Sequence, residues 1–281
     1  MTLLKNRFIV ATRHFPSFRK RIQAWIFIAC LVLLLTLMFF PSTFAPSDPF
    51  ELDVVNRLQV PSKLHFFGTD EGGRDIYSRV IFGTKESVGS AIIIVLLASG
   101  IGTLLGAVSG WFGGKLDWFL MRMVDVFLSF PYLVLAMAIA ASLGRDMRSA
   151  ILALILVWWP SYARMVRGQV LSIKERLFIR ATRTLGASNP QILFWHIIPH
   201  TYRTVGVRAS MDVGYVLISL TGLSFLGLGA QNPNPEWGLM ISNARSYVLA
   251  SWWYSVFPGI AILLVVSLFI YAADKFSGIE K

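Results

Sequence analysis

Six stretches of this chain contain no Asp, Glu, Lys or Arg: residues 22–47, 87–114, 126–144, 149–163, 213–235 and 246–273. A helix needs about 20 apolar residues, roughly 17–25, to cross a bilayer. Five windows reach that length. The fourth, 149–163, is short, but it continues helically through Tyr162, Ala163, Met165 and Val166, with Arg164 able to snorkel to the headgroups. The pattern predicts an all-α integral membrane protein with six transmembrane helices and no large soluble domain. Its segments are a tail (1–23), a first span (24–40), an external loop (41–86), a five-helix core (87–275) and a short C-terminal tail (276–281).

Between the fourth and fifth spans lies a basic insert punctuated by Gly and Pro, RMVRGQVLSIKERLFIRATRTLGASNPQILFWHIIPH, residues 164–200. Leu177, Phe178, Ala181 and Leu185 recur at helical spacing. Gly186 suits a helix stop, and Asn189-Pro190 suits a restart as cap and first position. The expected shape is helix, stop, helix. A loop this long and this patterned suits a docking surface, and the plainer alternative is an amphipathic connector lying on the membrane.

Composition agrees with a membrane protein. Of 281 residues, 55% are hydrophobic and only 15% charged, where a soluble domain has about a quarter charged. The net charge of +11 is placed as a topology signal and not as a nucleic-acid surface. Lys5, Arg7, Arg13, Arg19, Lys20 and Arg21 precede the first span. Arg164, Arg167, Lys174, Arg176, Arg180, Arg183, Arg203 and Arg208 fill the stretch between the fourth and fifth, against Glu175 alone. The positive-inside rule then puts both termini and the 164–208 stretch in the cytoplasm. The first apolar run outlasts the roughly 7–15-residue core of a signal peptide and lacks a clear cleavage site, so it is expected to remain as an anchor. Cys30, the one cysteine, lies within it.

Candidate chemistry is sparse. Asp70, Glu71, Arg74, Asp75 and Arg79 alternate in sign beside Gly72-Gly73, a pattern that suits a salt-bridged turn seating the loop better than a cation site. Gly102, Gly106 and Gly110 give two GxxxG spacings, which let helix backbones approach in lipid. Arg122 and Asp125 are spaced to pair, and Pro131 is expected to loosen the third span. Gly222, Ser224, Gly227 and Gly229 suggest another small-residue face, while Trp252, Trp253 and Tyr254 suggest an interfacial aromatic belt. His196 and His200 have the i, i+4 spacing of a zinc pair, but no HExxH surrounds them. Neither a nucleophile elbow nor a Walker loop is present: Gly114-Lys115 has Ser109 and Leu116 where the motif needs Gly and Ser/Thr. The sequence thus offers no catalytic residue, metal site or cofactor site. Active transport by such a chain takes its energy from another subunit.

The motifs FGTDEGGRDIYSRVIFGTKESVG (67–89), GWFGGKLDWFLMRMVDVFLSFP (110–131), YARMVRGQVLSIKERLFIRATRTLGAS (162–188), HIIPH (196–200) and LSFLGLGAQNPNPEWG (223–238) occur in this order. Together they resemble the permease subunit, dipeptide and oligopeptide permease C type, of bacterial peptide and nickel ABC importers. The resemblance covers about residues 20–260. It implies the type I importer permease (MetI-like) fold, with a cytosolic coupling segment at about 171–200. Arg180-Ala181-Thr182 stands where the family has Glu-Ala-Ala, Gly186 is kept, Ile198-Pro199 matches the motif's end, and His200 replaces the usual Asn. The C-terminal YAADKFSGIEK departs from the family.

By the same resemblance, the residues expected to contact the ATPase are Phe178, Arg180, Ala181, Leu185, Gly186, Ala187 and Pro199. The implied partners are a second homologous permease, two cytosolic ATP-binding subunits, a periplasmic substrate-binding protein and membrane lipid. The implied place is the bacterial inner membrane and the implied cargo di- or oligopeptides. Nickel or a metal chelate is the alternative cargo. An ion channel or a structural membrane subunit is the more remote alternative. The residues that bind substrate are not legible.

Overall fold

The computed structural model describes residues 18–277. Its helices follow the apolar windows, and no strand occurs among the described residues. The helix α1 (Phe18–Phe39) is followed by the short α2 (Pro41–Phe44) and an irregular segment reaching Asp75. Next, α3 (Ile76–Thr84) passes through a π-helical turn, Lys85–Gly89, into α4 (Ser90–Phe112). The chain continues as α5 (Gly114–Ser129), α6 (Tyr132–Leu143) and α7 (Met147–Ile173). After α8 (Leu177–Thr184) and α9 (Asn189–Gln191), a second π segment, Ile192–Ile197, leads into α10 (Ile198–Phe225). The last helices are α11 (Trp237–Ala244) and α12 (Trp253–Ser277).

Among the described residues, α3–α4, α7 and α12 are long and apolar enough to cross a membrane alone, and α5 with α6 makes a fourth if the bent pair is one span. The apolar part of α1 is the shorter Trp25–Phe39. Although α10 has the length, Arg208 and Asp212 interrupt its apolar run.

The core forms where α4 and α7 meet. A β-carbon on Gly102 would lie 2.5 Å from the Trp159 carbonyl oxygen, and one on Gly106 would lie 2.3 Å from that of Ala163. Gly110 faces Val170 and Arg167 in the same way. The glycine spacing read from the sequence therefore marks a seam of close backbone contact between α4 and α7. Around it, Ile94 and Val95 of α4, Leu154 of α7, Leu217 and Leu220 of α10 and Tyr254 of α12 share one buried cluster.

The third span departs from expectation. It does not merely loosen at Pro131 but breaks there, with α5 and α6 bent by 95°. The residue before a proline is pushed out of the helical region, and Phe130 is extended at φ −93°, ψ 146°. The fourth span runs on as expected, with α7 continuing to Ile173 and Arg164 reaching Asp125 on α5. Asp125 thus pairs more closely with Arg164 than with Arg122, whose Nη1 is 3.8 Å away.

Two other readings change. Gly227 and Gly229 lie past the end of α10, where Gly229 folds against Ser224, so they shape a turn and not a packing face. Trp253 and Tyr254 are buried in the core, leaving Trp252 exposed.

The charged stretch at 70–79 is a buried brace. Arg74 Nε donates to Asp70 Oδ2 at 2.7 Å, and Arg79 Nε approaches the same oxygen at 3.4 Å. Arg79 is fully buried and donates to the carbonyls of Pro49 (2.8 Å), Pro233 (3.3 Å) and Asn234 (3.2 Å). It ties the 41–75 segment to the chain before α11. Burial pushes the Asp70 carboxyl up, and the two guanidiniums oppose that shift.

Candidate functional site

The 171–200 segment has the expected shape, with local chemistry that explains it. Where α7 ends, the Lys174 ammonium donates to the Gly110 carbonyl at 3.1 Å, fixing the exit to the end of α4. Helix α8 then buries one residue, Ile179. Ile179 enters a cluster with Ala107 and Trp111 of α4, Val166, Val170 and Ile173 of α7, and Ile192, Leu193 and Ile197 of the π segment. The Arg183 guanidinium lies over the Trp111 ring, 5.2 Å from its centroid.

The stop after α8 is a two-bond C-cap. Gly186 N–H donates to Arg183 O at 3.0 Å and Ala187 N–H to Thr182 O at 3.3 Å, with Gly186 at φ +88°. This pair of bonds satisfies orphan carbonyls and requires a left-handed residue at Gly186. The next helix restarts one residue earlier than the Asn189-Pro190 pair suggests. Ser188 is the cap and forms a capping box with Gln191, whose Oε1 accepts from Ser188 N–H at 3.0 Å. Asn189 and Pro190 then fill the first turn.

Pro199 sits in the first turn of α10, straight after the π segment, where Ile198 N–H bonds to Leu193 O, five residues back. A proline ring displaces the carbonyl one turn earlier, and the wider π turn makes room for it. His200 stacks on Phe178 (centroids 5.2 Å apart), and its Nδ1 lies 2.7 Å from the His196 carbonyl. The two imidazoles do not converge as a ligand pair.

Of the expected contact residues, Phe178, Arg180, Ala181, Leu185, Gly186 and Pro199 are exposed and Ala187 is half-buried. They cluster at one end of the bundle around the α8–α9 turn. Leu177 and Leu185 are exposed at 83% and 87%, too far for apolar side chains that merely cover a core. Arg180 bonds Glu175 of its own segment at 2.9 Å, with both side chains about two-thirds exposed, so that pair contributes little. Beside the turn a groove of about 470 Å³ is lined by Leu185, Gly186, Ala187, Gln191, Trp195 and His196. Sequence reasoning missed Trp195, exposed at 76%, and the anchor Ile179. The signal for Ile179 was its i+13 and i+14 partners Ile192 and Leu193, a long-range pairing that helical periodicity does not encode.

A bundle of membrane-length helices with a structured insert between α7 and α10 defines a polytopic membrane protein. The chain belongs to the binding-protein-dependent transport system inner membrane component family, whose profile matches residues 102–277. It is 45% identical over 234 residues to the probable D,D-dipeptide transport system permease protein DdpC of Escherichia coli K12, covering 83% of this chain and 78% of that one. It is 39% identical to the dipeptide transport system permease protein DppC of Alkalihalophilus pseudofirmus, covering 90% and 80%. To the glutathione transport system permease protein GsiD of Pectobacterium atrosepticum it is 38% identical, covering 87% and 81%. Among solved structures, the inward-facing MetNI methionine ABC transporter matches with a TM-score of 0.59 at 20% identity, covering 70% of this chain and 93% of that one. That likeness shows the MetI-like fold.

Proposed function

We propose that this chain is the permease subunit of an ATP-driven importer that moves di- or oligopeptides, delivered by an external binding protein, across the bacterial inner membrane. A second, related permease completes the pathway, and two cytosolic ATP-binding subunits drive it. The observation that carries this reading is the exposed, apolar α8–α9 turn, rigidly capped and anchored by Ile179 to α4 and α7. Such an element presents Phe178, Arg180, Ala181, Leu185, Gly186, Ala187 and Pro199 to a partner and passes that partner's movement to the spans. Both termini and the insert face the cytoplasm in this reading, following the distribution of Lys and Arg. The peptide class is supported by the dipeptide and glutathione permeases to which the chain is similar.

Uptake of labelled dipeptide and labelled nickel, in cells with and without the gene and under ATP depletion, tests the reading. Loss of ATP-dependent dipeptide uptake alone is the expected result. Loss of nickel uptake alone would overturn the cargo and keep the architecture.

A further inference from the structure

A groove of about 580 Å³ runs between α1 and α12 over α3, and its lining is almost wholly apolar. On α12 it extends from Ala261 to Tyr271, ten residues or about 15 Å of helix. That is half the roughly 30 Å hydrocarbon core, the depth of one leaflet. Leu33, Leu34 and Leu37 of α1 form the facing wall, and Cys30 lies beside them.

The end of the groove toward the α12 C-terminus is polar in a specific way. The Tyr271 hydroxyl is buried and has no hydrogen-bond partner among the described residues. One turn further on, the Lys275 ammonium lies 5.4 Å from the Tyr271 ring centroid. A buried hydroxyl left unpaired is unfavourable, and the ammonium over the ring that carries it places positive charge beside that end of the groove. Basic pockets between transmembrane helices hold anionic lipid headgroups.

We propose that this groove binds one anionic glycerophospholipid, with an acyl chain between α1 and α12 and its phosphate at Tyr271 and Lys275. The lipid comes from the leaflet at the C-terminal end of α12. It fills the seam by which α1, whose one buried hydrophobic residue is Leu34 among those described, rests on the core. The site is separate from the α8–α9 turn and does not depend on the nature of the cargo.

The test is native mass spectrometry of the full transporter, purified in mild detergent, with phosphatidylglycerol and phosphatidylcholine added in turn. Alkylation of Cys30 by N-ethylmaleimide, located by peptide mapping, provides the second readout. Wild type is expected to retain phosphatidylglycerol in preference to phosphatidylcholine, and phosphatidylglycerol alone is expected to slow the reaction at Cys30. Lys275→Gln should cut the preference about fivefold. Tyr271→Phe should lower retention of both lipids, since both carry a phosphate, while leaving the complex intact. Leu264→Trp, which narrows the groove from its exposed side, should lower retention of both lipids. Equal retention of the two lipids by wild type, a preference unmoved by Lys275→Gln, or retention of both lipids unmoved by Tyr271→Phe would overturn the proposal. So would cross-linking of Leu264→Cys to another subunit, because the groove would then hold protein.

Discussion

Gly106 of α4 lies so close to Ala163 of α7 that a β-carbon on the glycine would stand 2.3 Å from the alanine's carbonyl oxygen. No side chain of a neighbour can swing away to relieve that contact, because the obstacle is backbone. Gly106→Leu is therefore expected to separate the two central helices and cost more than the roughly 1–3 kcal/mol of ordinary overpacking. Gly100→Leu, on the same helix with nothing within 4 Å of the added carbon, is the matched control. Size-exclusion profiles of tagged protein in detergent should show aggregation or loss for Gly106→Leu and a normal peak for Gly100→Leu. Equal behaviour of the two variants would remove the seam from its central place.

Arg79 is the second fixed point. It is buried beside Asp70 and donates to three carbonyls on two separated parts of the chain. Removing one partner of a buried charge pair leaves the other uncompensated, at about 3–5 kcal/mol. Arg79→Ala should lower the thermal unfolding temperature sharply and open the 41–75 segment to protease. Arg79→Lys keeps the charge but not the fork of donors, and it should fall between the two. Proteolysis unchanged in Arg79→Ala would show that the brace is dispensable.

The sequence signal of each feature was legible because it is local, although the partners it meets are far away in the chain. Glycines one turn apart announce a close approach, and alternating charges within ten residues announce mutual pairing. The Gly186 stop was legible for the same reason. Long-range partners were not. Pro131 signalled a disturbance, but whether a proline kinks a span or breaks it by 95° depends on how the neighbouring helices hold each half. The aromatic run at 252–254 has the composition of an interfacial belt, yet the core takes Trp253 and Tyr254. The π segment before Pro199 has no sequence signature of its own. At the candidate site, the helix–stop–helix shape could be read from the residues, and the expected contacts from the family resemblance. The buried Ile179, which holds them in place, could not.

Glu236 offers a test with a definite pH sign. Its carboxylate is fully buried and caps α11, accepting from Gly238 N–H at 3.0 Å, Leu239 N–H at 2.8 Å and the Ser87 hydroxyl at 3.2 Å. Burial raises its pKa from 4.5, and these bonds oppose the rise. The folded state thus holds this proton more tightly than the unfolded chain. The stabilisation it gives is present at low pH and is lost as pH rises through the folded pKa. Glu236→Gln keeps an acceptor and removes the titration. Thermal melts of wild type and Glu236→Gln should show wild type gaining on the variant as pH falls toward 4.5. A constant gap across that range would refute the raised pKa. Glu236→Ala should be less stable at every pH, since two helix N–H groups and Ser87 lose their acceptor.

The proposed coupling role rests on a turn that must be stiff, and Gly186 decides its stiffness. At φ +88° a β-branched residue is strained, whereas Asn tolerates the left-handed region. Gly186→Val should disrupt the two-bond cap and detach the exposed Leu185 edge from the orientation set by Ile179. In the assembled transporter this predicts normal membrane insertion and loss of substrate-dependent uptake, with ATP hydrolysis no longer responsive to the binding protein. Gly186→Asn should retain much of the coupling. Ile179→Ala makes the same case from the buried side: it leaves the exposed docking residues unchanged while loosening their attachment to α4 and α7. Its expected signature is ATP hydrolysis that continues while uptake falls. If Gly186→Val and Ile179→Ala both transport at wild-type rates, the 171–200 segment does not carry the drive from ATP to the spans.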